Sequence, residues 1–170
     1  MKRYFHRHLP TPVWRFIPVA GLGTFLSVVI LGAITQYGDL PLLIAPFGAS
    51  CVLIFAAHSS PLSQPINVVG GHVVAGLVGL VCHFILPGSF VMAAVAVAVA
   101  IMGMMALRVV HPPAGATALV AYVTAVSWSF IIFPVLIGSI LLVGLGLVYH
   151  QVTDNIYPLH HPEHLHRLKK

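Results

Sequence analysis

The residues of this chain best suited to chemistry are His111, Pro112, Pro113, Ala114, Gly115, Ala116 and Thr117. Proline fits the first turn of a helix, where its missing N–H would have no partner, so Pro113 is expected to open a helix. Unpaired N–H groups and the positive end of the helix dipole attract anions, and small residues let an ion approach the backbone. Gly115, Ala116 and the Thr117 hydroxyl supply such donors, and Pro46, Gly48, Ala49 and Ser50 repeat the same types in the same order. His111, beside them, is a candidate hydrogen-bond donor, proton carrier or orienting residue. Arg108, three residues earlier, would raise anion concentration at the mouth of the segment. His72 and Asn67 could face the same cavity. The bland alternative is that these prolines and small residues only start helices and let neighbours pack closely. Ser50 and Thr117 could likewise bond a carbonyl one turn back.

The recurrence extends well beyond four residues. With an offset of 67 positions and no gap, Val68, Gly71, Gly79, Leu80, Val81 and His83 align with Val135, Gly138, Gly146, Leu147, Val148 and His150. Duplicated apolar segments interrupted by proline and glycine are the pattern of membrane transporters built from repeated units. Gly71, Ala75 and Gly79 share one helical face at a spacing of four, where helix packing is the favoured reading.

The elements that position these residues are membrane segments. Hydrophobic residues make up 59% of the chain and charged ones 6%, and the mean hydropathy is +1.01. Between Arg15 and Arg108 the only formal charge is Asp39, and between Arg108 and Asp154 there is none. A charged side chain at a bilayer centre costs about 2.5 kcal/mol or more, so such stretches mark lipid-embedded helices. Six apolar segments are predicted: 15–36, 42–57, 66–86, 90–107, 113–126 and 130–151. Runs such as Ala93 to Ile101 are apolar at every position, unlike the alternating strands of a membrane barrel. The two cysteines, Cys51 and Cys82, lie inside apolar segments and read as small buried side chains.

The fold expected is an all-α membrane protein in which the six segments form two inverted three-segment repeats, about 15–86 and 88–152. Four spanning helices with two re-entrant segments, the second and fifth, form the alternative. Lys2, Arg3, Arg7 and Arg15 precede the first segment and Arg167, Lys169 and Lys170 follow the last. That bias puts both termini in the cytoplasm, with an N-terminal arm at 1–14 and a His-rich basic tail at 153–170. The first segment is too long for a signal-peptide core and is expected to remain uncleaved. The net charge of +5 reflects orientation, with no nucleic-acid footprint.

The HPPAGATAL string at 111–119 resembles the signature of the HPP family of integral membrane proteins. APFGAS, SPLSQP and NVVGGH, between Ala45 and His72, are similar to that family's other recognisable region. The resemblance implies a transporter, since nitrite transport in plastid and cyanobacterial membranes is associated with some members. Others are described only as membrane proteins, usually drawn with four crossings. Some members carry attached regulatory domains, and none is expected here.

Three function classes follow. The first is a transporter or channel for a small inorganic anion, nitrite by resemblance, using the residues named above. The second is a metal-binding membrane protein built on His111, His72 and His58, against which stands the absence of carboxylates from the central segments. The third is a non-transporting membrane scaffold. No enzyme activity and no cofactor are expected; the partners are the lipid bilayer, the anion and further copies of the chain. The short N-terminal arm lacks the length of an organelle transit peptide and suggests a bacterial plasma membrane. His83 and His150 are expected at the membrane interface, and His160, His161, His164 and His166 in a solvated tail.

Overall fold

In a computed structural model of the protein, residues 11, 13–124 and 126–159 are described. Of the charges that set the expected orientation only Arg15 is among them; Lys2, Arg3, Arg7, Arg167, Lys169 and Lys170, and the tail histidines, lie outside. The described residues form six helices and no strand: α1 (Phe16–Tyr37), α2 (Pro46–Ala56), α3 (Pro65–Ile85), α4 (Phe90–Ala106), α5 (Ala114–Val123) and α6 (Ile131–Val152). Each falls within a few residues of a predicted segment. α1, α3 and α6 are long and apolar enough to cross a bilayer. At about 1.5 Å per residue, α2 and α5 cover roughly half of a 30 Å hydrocarbon layer.

Two helices depart from regular α geometry. α2 is α-helical to Cys51 and then widens to π geometry over Val52–Ala56. α6 begins as a π-helix over Ile131–Gly138, with Pro134 inside it. Proline has no N–H to donate and crowds the carbonyl four residues back, so a local change from the α hydrogen-bond pattern relieves both problems.

On α1 and α4 the inward-facing residues are mostly small. On α1 the buried residues are Gly23, Ser27 and Leu31, and on α4 they are Ala93, Ala96, Ala100 and Met104. Phe25, Phe90 and Met102 point away from the protein. Because lipid tails are as apolar as leucine, close backbone approach and dispersion hold such helices together. The three charged residues among 16–159, Asp39, Arg108 and Asp154, each follow a helix C-terminus at positive φ, with φ of 54°, 60° and 54°.

The packing of the first three helices on the last three is reciprocal. α3 packs against α4 and α5, while α6 packs against α1 and α2. A Cβ at Gly71 would lie 2.9 Å from the Val109 carbonyl oxygen, and one at Gly138 would lie 2.8 Å from that of Leu42. Gly71 and Gly138 are 67 positions apart, as are Leu42 and Val109. Gly79 closes on Ala121 and Gly146 on Ile54, a further pair of contacts with the same offset. Two pairs of glycine contacts thus recur at the 67-residue offset.

Candidate functional site

Where α2, α3 and α5 meet, four side chains form one hydrogen-bonded cluster. Pro46 is the first residue of α2, and one turn later Ser50 faces inward. Pro113 is the N-cap of α5 rather than its first residue, and Thr117 faces inward at the corresponding place. His72 lies on α3, and His111 lies in the turn leading into α5. All four side chains are 0% exposed.

The His72 imidazole bridges the two repeat-related hydroxyls. Its Nε2 is 2.9 Å from Ser50 Oγ, and its Nδ1 is 2.8 Å from Thr117 Oγ1. Ser50 Oγ is also 2.9 Å from Nε2 of His111, whose Nδ1 is 2.9 Å from the Leu62 carbonyl oxygen. That carbonyl can only accept, so His111 donates to it through Nδ1–H. For neutral rings the rest follows: Ser50 donates to His111 Nε2, His72 Nε2–H donates to Ser50, and Thr117 donates to His72 Nδ1. Every imidazole nitrogen has a partner, as buried polar groups require. Phe47 meets the His72 ring edge to face at 5.1 Å.

The carbonyl end of this chain is held by the SPLSQP loop, residues 60–65, which the sequence marks by resemblance but to which it assigns no contact. Gln64 donates through Nε2 to the His58 and Ser60 carbonyls, and Tyr157 donates to the Ser63 carbonyl at 3.0 Å. The segment after α6 thus fixes the turn that carries Leu62. The prolines at 61 and 65, flanking the turn, were the available signal.

The remaining predicted residues occupy other places. Asn67 donates to the Val110 carbonyl at 2.9 Å and so braces the turn before His111, without joining the cluster. Gly48, Ala49 and Ala116 are exposed, Gly115 is half-buried, and a Cβ at Gly48 or Gly115 would meet open space. These residues therefore do not line the cluster, although they directly precede the buried hydroxyls, and the N–H groups of Gly48, Gly115 and Ala116, expected to be free for an ion, donate to the carbonyls of Ala45, Pro112 and Pro113. Arg108 is exposed at the end of α4. A groove of about 900 Å³ between the end of α3, α4 and α5 is lined by His83 and Tyr122 among apolar residues, and none of the four cluster side chains lines it.

The terminal histidines are more integrated than expected. His150 is buried, with Nε2 2.8 Å from the Ile54 carbonyl, and His83 Nδ1 is 2.8 Å from the Tyr122 carbonyl. Each terminal histidine binds the short helix of the other repeat. His58, half-buried, lies with its ring centroid 4.6 Å from that of His150 rather than beside His72 and His111. Among the described residues no group of three His, Cys, Asp or Glu side chains is placed to hold a metal.

Comparison with known proteins gives this architecture its family. A match to the HPP transmembrane region covers residues 9–158. The chain belongs to the HPP family. HPP relatives include two transmembrane proteins of Dictyostelium discoideum. One is 36% identical over 76% of this chain and 46% of its own length, the other 33% identical over 89% and 58%. The chain spans about half the length of the curated relatives it matches. No solved structure matches it. Membership makes the chain a multi-pass membrane protein, with the HPPAGAT string contributing two of the four cluster side chains.

Proposed function

We propose that this HPP protein is a membrane transporter or channel for a small inorganic anion, with nitrite the leading substrate from its family resemblance. The observation that carries the reading is the single imidazole of His72 held between Ser50 and Thr117, the hydroxyls of the two repeats. Two copies of a proline-initiated segment meet at one polar centre, and no carboxylate in the central segments opposes an anion there. Reciprocal contacts between the repeats support an approximate two-fold relation. With three segments per repeat, that relation is an inversion across the membrane, and both termini face the cytoplasm.

The cluster is closed in this conformation, because its hydroxyls and imidazoles satisfy one another. Permeation requires the Ser50 or the Thr117 contact to open so that its donors turn to the ion. Arg108 raises anion concentration at one mouth. Uptake by proteoliposomes against nitrite, nitrate, formate and chloride tests the reading, with protein-dependent anion flux expected. A reversal potential that follows sodium or potassium contradicts it. The completeness of the cluster's hydrogen bonding favours one second reading, a non-transporting scaffold, for which no ion of the panel moves.

A further inference from the structure

Resting on that anion reading, we infer that the buried cluster carries its anion together with one proton, so that transport is electroneutral. Transported alone, either species would be a charge without a partner. The only carboxylates of the chain are Asp39, Asp154 and Glu163, none of them within a helix that contributes to the cluster. The other titratable or charged groups on elements packed around it are Cys51 on α2, His58 in the loop after α2, Cys82 and His83 on α3, Tyr122 on α5, Tyr149 and His150 on α6, Tyr157 after α6 and Arg108 after α4. None of these is a carboxylate. Among the described residues a proton on His72 or His111 is therefore a buried cation with no counter-ion, and an anion among neutral rings has no cation. Burying either alone costs several kcal/mol, whereas an imidazolium–anion pair answers both charges.

The direction of the hydrogen bonds supplies the acceptor. His111 Nε2 accepts from Ser50, and His72 Nδ1 accepts from Thr117. Opening either hydroxyl contact frees one imidazole lone pair and one hydroxyl donor together. The lone pair takes a proton from hydronium on the entry side, leaving water, and the new N–H and the freed hydroxyl bind the anion. On the other side the proton and anion leave and the ring is neutral again. No other bond changes.

The probe is nitrite in proteoliposomes, with the rate in protein-free vesicles subtracted to remove leakage of the free acid. At fixed nitrite, one unit of external acidification should raise the protein-dependent initial rate about tenfold, as expected for a first-order need for protons. A potassium diffusion potential of either sign should leave it unchanged. Protein-dependent uptake that follows the potential and ignores pH overturns this inference and leaves anion transport standing. No protein-dependent uptake under any gradient overturns both. Glutamine keeps hydrogen-bonding capacity but cannot carry the proton, so His72→Gln or His111→Gln should flatten the pH response. A slope unchanged in both variants overturns the assignment.

Discussion

Ser50 and Thr117 stand 67 positions apart in the chain and bind opposite nitrogens of one imidazole, that of His72. The duplicated segments thus share a single central residue. The position that matches His72 in the second repeat is Ser139. One ring fills the space between two hydroxyls, so the repeat symmetry is broken where the chemistry is concentrated.

Removal of the Thr117 hydroxyl leaves His72 Nδ1 buried without a donor. Thr117→Val should destabilise the protein in detergent by about 1 to 3 kcal/mol. In a double-mutant cycle with His72→Phe the two losses should be strongly non-additive, because the second change removes the group orphaned by the first. Additive losses in denaturant melts would separate the two residues.

The reciprocal glycine contacts make a paired prediction. Gly71→Ala drives a methyl into the Val109 carbonyl and the His111 Cβ, and Gly138→Ala drives one into Phe47 and the Leu42 carbonyl. Each should cost about 1 to 3 kcal/mol by overpacking. Gly48→Ala and Gly115→Ala meet open space, and their melting temperatures should stay near that of the parent protein.

Arg108 offers a separation of stability from transport. Its φ of 60° is a conformation that disfavours a side chain, by about 1 kcal/mol, and glycine adopts it freely. Arg108→Gly should raise the melting temperature while lowering the anion flux and weakening its dependence on ionic strength. A variant less stable than the parent would show that the arginine side chain outweighs the backbone cost.

Burial holds the His58 ring below its ordinary pKa of 6.5. The folded protein then binds the proton less readily than the unfolded chain, so this contribution to stability is full above about pH 6.5 and is lost as the pH falls below it. Thermal unfolding from pH 7.5 to 5.5 should show a smaller loss for His58→Gln than for the parent. Equal slopes would rule out His58 as a source of the acid sensitivity.

The elements were legible in the sequence because apolar runs end at prolines, glycines and short polar turns, and the 67-residue offset matched Ser50 to Thr117 before any contact was known. The partners were less legible. His72 reads as able to face the same cavity, but its two hydroxyl partners, one on α2 and one on α5, come from long-range packing that leaves no local trace. Asn67, five positions earlier, falls on a different part of the helix surface and reaches the Val110 carbonyl instead. His150 reads as interfacial from its place near a segment end, yet α6 packs against α2 and buries it. The Leu62 carbonyl, which orients His111, carries no side-chain signature at all.

The most direct test is nitrite flux through reconstituted protein with His111→Ala and Thr117→Val measured beside the parent, each variant first shown to be folded by its melting curve. The expected result is a clear loss of flux in both. Undiminished flux in both would contradict a pathway through the shared imidazole.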